Sequence, residues 1–181
     1  MNENFFQEDS KRNGLISTIL RKINEFDKFI RDHTSVQHGN ISSVNGISVL
    51  GATYSIAAAL GTYVDTGLSV SIPSAGRYRL TANARVSITG NAGTAWYIVM
   101  KLYNATLASD IANSVRLPLL VSVTGINTQI TSQIDVIADI ASACTISLYA
   151  KRDGGGAATF TLSDIATSAN GESVLTYERL N

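Results

Sequence analysis

Two histidines, His33 and His38, one cysteine, Cys144, two carboxylates four residues apart, Asp135 and Asp139, and the triple glycine of KRDGGGAATF are the groups on which this chain could build chemistry. None of these sets has the spacing that a reaction needs. Both histidines fall before residue 40, with no acid or nucleophile clustered around them, so acid–base and triad chemistry lack a partner set. Asp135 and Asp139 share one strand parity with Gln133, but strand residues four apart lie about 13 Å from each other. That is too wide for a glycosidase pair or for two ligands of one calcium ion, and the two read as solvated surface acids. The glycine run lacks the Gly-Lys-Ser/Thr ending of a phosphate loop and leads into a strand, so it reads as a hairpin tip. A single cysteine allows neither an intrachain disulfide nor a thiolate zinc site, and Cys144 shares parity with Ile146 and Leu148, which places it in a core. The expectation is a protein that is not an enzyme and has no metal and no cofactor.

Binding chemistry is better represented. Arg77, Arg79 and Arg85 form a basic stripe on one strand face, which could read an anionic glycan or pair with acids across a subunit interface. The whole chain has no net charge, with 14 basic and 14 acidic residues, so neither nucleic acid nor an acidic membrane surface is indicated. Twelve of those 28 charges lie in the first 33 residues. The rest of the chain is polar through Ser, Thr and Asn, which suits an exposed β surface or one partly covered by identical neighbours. The opening MNENFFQEDSKRN has no basic stretch followed by an apolar one, and no later run has the length of a membrane span. A soluble product without an ordinary secretion signal is expected.

The elements that must carry these surfaces are of two kinds. From residue 47 onward the apolar period is two. In RYRLTANARVSITG, Tyr78, Leu80, Ala82, Ala84, Val86 and Ile88 alternate with a polar set. Further strands are expected at 68–72, 95–104, 115–123, 126–138, 144–152, 158–163 and 172–180, separated by PSAG, TGNAG, VTGIN, RDGGG and NGE. Eight to ten strands without βαβ rhythm predict an all-β antiparallel sandwich, most simply a jelly roll.

Before the strands the period is helical. Ile16, Ile19, Ile23, Phe26 and Ile30 are spaced 3, 4, 3, 4, a coiled-coil seam. Isoleucine at both a and d favours three or four strands over two, and Lys22 at g with Asp27 at the next e has the spacing of an interchain ion pair. The domain reading is therefore 1–33 an attachment segment with a trimerising α-helix, 34–46 a linker and 47–181 the head. Fewer than three heptads carry the seam, so the helix alone would associate weakly.

Two strands are apolar on both faces. AWYIVMKLY places Tyr97, Val99 and Tyr103 opposite Trp96, Ile98, Met100 and Leu102, and VRLPLLVSV places Leu120 opposite Val115, Leu117, Leu119, Val121 and Val123. A sandwich buries one face per strand, so Tyr97, Val99, Tyr103 and Leu120 are expected at an interface between heads.

The segment TYVDTGLSVSIPSAGRYRLTANARVSITG, with the later WYIVMKLYNATLASDIANSVRL and the closing SANGESVLTYERL, resembles bacteriophage virion fibres and spikes whose heads are trimeric jelly rolls of the C1q and tumour-necrosis-factor type. The resemblance covers residues 60–181. It implies a homotrimer in the virion, docked on another virion protein through the N-terminal segment, where Phe5 and Phe6 would seat. The head would face outward as a tail or head fibre that contacts the host surface, a glycan among its partners. It carries over no receptor-binding residues, and the loops around 90–94, 104–110 and 153–156 are the candidates. Two other roles remain open: a capsid decoration or cement protein, and a cellular C1q-like ligand.

Overall fold

A computed structural model describes residues 22–26, 45–169 and 171–180, in two units, residues 1–42 and 43–181. In the first unit residues 22–26 are helical, and Ile23 and Phe26 are exposed. Phe5, Phe6, Ile16, Ile19, Asp27 and Ile30 lie outside the described residues.

The second unit is an antiparallel sandwich of two sheets. Its strands are β1 (Asn45–Val49), β2 (Tyr54–Ser55), β3 (Val64–Ile72), β4 (Gly76–Ala92), β5 (Ala95–Asn104), β6 (Ser109–Asp110), β7 (Arg116–Val121), β8 (Thr128–Ile140), β9 (Cys144–Gly155), β10 (Thr159–Ala166) and β11 (Val174–Leu180). Sheet one is organised around the 17-residue β4. On one side β8 pairs with it from Gly76 to Ile88; on the other β11 and then β10 share its length, flanked by β1 and β2. Sheet two runs β3–β9–β5, with β6 and β7 sharing the far side of β5. The chain changes sheet at β2–β3, β3–β4, β4–β5, β7–β8, β8–β9 and β9–β10, while the ladders join β3 to β9 and β4 to β11. That nesting is jelly-roll-like.

The alternation in β4 places its apolar set inward: Tyr78, Leu80, Ala82, Ala84, Val86 and Ile88 are fully buried. From sheet two Leu68, Ile98, Met100, Leu102, Ile146 and Leu148 meet them. Cys144 is buried, and burial pushes its thiol above the usual cysteine range. Tyr177 stands edge-on to Tyr78 with ring centres 5.9 Å apart, over the backbone of Gly46, where any Cβ would collide with the ring.

The structure differs from the sequence expectation at particular places. β3 begins at Val64 instead of residue 68, because Gly67 makes a bulge within the strand instead of ending it. Its backbone takes φ +80°, its N–H donates to Asp65 Oδ1 at 2.9 Å, and Thr66 Oγ1 donates across to the Leu148 carbonyl. β1 starts at Asn45, two residues inside the stretch read as linker. It is held by its ladder to β11, and its own alternating side chains are largely exposed. β7 is irregular against β5, with a register shift between the Ile98–Leu119 and Met100–Arg116 pairs. Leu119 and Val121, in the regular part, are buried as expected, whereas Leu117 beyond the shift and Val115 and Val123 outside the strand are exposed.

Candidate functional site

Three surfaces carry the residues singled out by the sequence. The first is the outer face of sheet one. Each arginine of its basic stripe finds a partner within the chain. Arg79 grips Asp135 with two hydrogen bonds, of 2.9 and 2.5 Å, Arg85 donates to Gln129 and Ser168, and Arg77 stands 3.9 Å from Asp139. The Arg79 guanidinium holds the Asp135 carboxyl below the usual carboxylate range. The register brings this about, since β8 sets Asp139 opposite Arg77 and Asp135 opposite Thr81. Asp135 and Asp139 thus act as counter-ions to the stripe, and this face holds no unbalanced row of cations. A groove of about 410 Å³ crosses it, lined by Asn45, Ile47, Arg79, Thr81, Thr176 and Glu178 among others.

The second surface is the lateral edge where β7 and β8 end their respective sheets. Val115, Leu117, Val123, Ile126 and Ile130 are all large, aliphatic and 44–54% exposed, whereas the exposed Ile137 lies opposite Arg79 on the outer face of sheet one. With about 90 Å² showing on each of the five edge residues, they present on the order of 450 Å² of apolar surface, within the range of the largest patch on an ordinary monomer. Between Val115 and Ile134 the only charged side chain is Arg116, and it folds back onto the carbonyls of Asn113 and Val115. Pro118 sits within β7 and removes a backbone donor from that edge, which opposes sheet extension by another strand. The edge suits side-chain packing. Leu120 instead pairs with Tyr97 and faces the outer side of sheet two.

The third surface is the outer face of sheet two. Tyr97, Val99 and Tyr103, expected at an interface, lie here in a row and are half-buried, with Tyr63 and Tyr149 among their neighbours. Tyr103 and Tyr149 have ring centres 4.5 Å apart, and Lys101 places its ammonium 4.3 Å from the centre of Tyr63 while pairing with Asp110. Lys151 stands near Tyr63 as well and pairs with Asp153 at 3.4 Å. Much of the apolar second face of β5 is therefore covered by the chain itself.

The three candidate loops do not converge. Loops 90–94 and 153–156 touch: the Thr94 N–H donates to Gly155 O, and a Cβ on Gly93 would meet Ala158 and Gly155. The 104–110 loop starts at the opposite end of the ten-residue β5, about 30 Å away. It is shaped locally by buried Asn104, whose side-chain oxygen accepts from the N–H groups of Thr106 and Leu107. It borders a second cleft of about 370 Å³, with Asp110, Ile137 and Asp139 in its lining. Among the described residues no cluster of three or more His, Cys, Asp or Glu side chains could hold a metal, and no helix is long and apolar enough to cross a membrane.

One polar group is poorly housed. Asp164 on β10 is buried, its Oδ1 has no hydrogen-bond partner, and burial raises its pKa against the opposing bond from Ser55. A carboxyl whose folded pKa is raised favours folding below its unfolded pKa, and that contribution is lost as pH rises through the folded value. Asp164→Asn is expected to stabilise the head at pH 7 by about 1 kcal/mol and to flatten the stability curve above pH 4. Urea titrations of both proteins at several pH values would show it, and parallel curves would refute it.

Sequence reasoning did not find Tyr63, Lys101, Tyr149 and Lys151 as one group, nor Ile126 and Ile130 as part of the edge. Each set joins strands that only the fold brings side by side, although the uncharged run 117–134 was a visible signal for the second.

No family model and no curated protein sequence matches the chain. Among solved structures, the infectious bursal disease virus VP2 subviral particle aligns with TM-score 0.42 and 10% identity over 77% of this chain and 38% of that one. The same virus's Gt strain aligns with TM-score 0.39 and 12% identity over 77% and 38%. A carbohydrate binding module (CBM6cm-2) from Cellvibrio mixtus lichenase 5A, in complex with cellotriose, aligns with TM-score 0.32 and 14% identity over 76% and 88%. The chain thus spans well under half the length of the VP2 chains. Its fold assignment rests on the strand pairings themselves.

Proposed function

We propose that the chain is the subunit of a homotrimeric virion fibre or spike, whose jelly-roll-like head is displayed outward to contact a host surface. The observation that carries this reading is the aliphatic edge of β7 and β8. Ile47 and Val49 expose a smaller aliphatic patch on β1, on the opposite side of sheet one from β8. Two unlike patches on opposite sides suit a head-to-tail contact, which forms a ring when its rotation closes. The isoleucine seam of Ile16, Ile19, Ile23, Phe26 and Ile30, flanked by Lys22 and Asp27, supports a ring of three. Phe5 and Phe6 would seat the trimer on another virion protein.

Light scattering at micromolar concentration tests the assembly. A mass of three chains is expected, and a monomer or dimer would sink it. Ile19→Asp with Ile23→Asp is expected to weaken the trimer about tenfold or more while the far-ultraviolet β spectrum stays unchanged, since each buried isoleucine contributes roughly 2 kcal/mol. An unchanged dissociation constant would remove the seam from the reading. A decoration protein of the capsid is the second reading, favoured by the absence of any long shaft sequence between the seam and β1. Imaging of native particles separates the two, because copies spread over the head lattice would exclude a tail position.

A further inference from the structure

We infer that the outer face of sheet two, around Tyr63, Tyr103, Tyr149, Lys101 and Lys151, is a binding platform for an uncharged pyranose chain; this deepens the surface-contact reading above and rests on it. Four of the chain's seven tyrosines, Tyr63, Tyr97, Tyr103 and Tyr149, are partly exposed around this face, while Tyr78 is buried and Tyr54 and Tyr177 pack against the core. Tyr63, Tyr149 and Tyr103 come from three neighbouring lines of the sheet, beside β3, on β9 and on β5. Their rings are pinned before any ligand arrives. Tyr103 and Tyr149 contact each other, the Lys101 ammonium lies 4.3 Å from the Tyr63 centre and 5.2 Å from that of Tyr103, and the Lys151 ammonium lies 5.2 Å from Tyr63. Asp110 and Asp153 hold the two lysines in turn. Such pre-organisation spares a ligand the ordering cost of the site.

The charges select the occupant. Two ammonium groups stand among three carboxylates, with Asp65 beside Tyr149 as the third. The face therefore carries a slight negative excess, which repels an anionic polysaccharide or nucleic acid. A second copy of the chain is poorly matched too, because covering five ions and four phenols would strip water from each, and interface cores are depleted in charge. The dry, aliphatic surface lies elsewhere, on the β7–β8 edge. An uncharged pyranose fits both properties. Its C–H face stacks on a tyrosine ring, and its hydroxyls donate to carboxylates and accept from ammonium and phenol groups. Burial and the nearby Asp110 and Asp65 raise the Tyr63 and Tyr149 phenols above their usual range, so both remain donors at neutral pH.

Full-length protein titrated with neutral hexaoses of glucose, mannose and galactose, with a hyaluronan hexasaccharide as the charged control, tests the site by saturation-transfer NMR and calorimetry. At least one neutral hexaose is expected to bind and the charged control not. Tyr149→Ala and Tyr103→Ala should each weaken binding about tenfold, whereas Tyr103→Phe, which keeps the ring, should stay within about threefold. Absence of binding to every neutral hexaose at millimolar concentration would overturn the inference. So would binding that survives Tyr103→Ala/Tyr149→Ala unchanged, or dissociation of the trimer by Tyr103→Phe, which would make the face a subunit contact. An intact trimer on virions that binds no hexaose defeats this inference alone. A monomer absent from virions that binds one through these tyrosines defeats only the assembly reading.

Discussion

Replacing Leu117 and Ile126 by aspartate is expected to lower the particle mass from three chains of 19.2 kDa to one while the head stays folded. Both side chains are more than half exposed, at 54% and 53%, so within a single chain the substitutions remove little packing. In a trimer each contact between neighbouring heads would bury them. Burying one such aliphatic contributes roughly 1.5–3 kcal/mol, and a carboxylate in its place adds an uncompensated charge. Two positions at each of three contacts amount to a rise of at least about 10³-fold in the dissociation constant. The edge, with about 450 Å² of apolar surface, is more than half of the roughly 800 Å² per partner of a standard interface, so losing its centre should weaken association strongly. Sedimentation velocity of wild type and variant at the same concentration reads the result. A variant that keeps the mass of three chains would show that the edge faces solvent, and a variant that unfolds would show that it supports the head itself.

How far the sequence announces these surfaces depends on how local each one is. The inward set of β4 and the span of β5 are legible because alternation is a property of one strand. Gly67 misleads because a glycine that ends strands elsewhere here sits in a bulge braced by Asp65. Strict alternation places Val115, Leu117 and Val123 inside, but the register shift before Leu119 displaces Leu117, and Val115 and Val123 fall beyond the ends of β7, so all three are exposed. Tyr97 and Tyr103 were found with Leu120 because all are apolar on a second face. The fold keeps them on one face, since Leu120 on β7 pairs directly with Tyr97 on β5, and Tyr103 lies further along that face among the ions. Tyr63, Tyr103 and Tyr149 stand at least 40 positions apart and meet only through the order β3–β9–β5, which no single-strand pattern encodes.

The largest loss of stability is expected at the contact between Gly90 and Trp96. The indole is fully buried, and its N–H lies 2.8 Å from the Thr159 carbonyl and 3.1 Å from that of Ala92, so the ring is held in place from both sides. A Cβ on Gly90 would fall 2.0 Å from the ring, too close for any adjustment of the ring alone. Gly90→Ala must therefore push the indole off its acceptors, at about 3 kcal/mol or more. Trp96→Ala should cost about 3–5 kcal/mol through the cavity it leaves. Against a total of 5–15 kcal/mol, either change lowers the melting temperature by about 10–20 °C. The decisive variant is the double one. With Trp96→Leu in the background the space above Gly90 opens, so adding Gly90→Ala should cost less than about 0.5 kcal/mol. If the two costs simply add, the contact between Gly90 and Trp96 is not what holds the turn between β4 and β5. The same contact reaches the aliphatic edge proposed to join the heads, since the Gly125 N–H donates to the Gly90 carbonyl at 2.8 Å and Gly125 precedes Ile126. Gly90→Ala is thus expected to weaken trimer formation at temperatures where the head is still folded, an effect that a purely internal packing role would not produce.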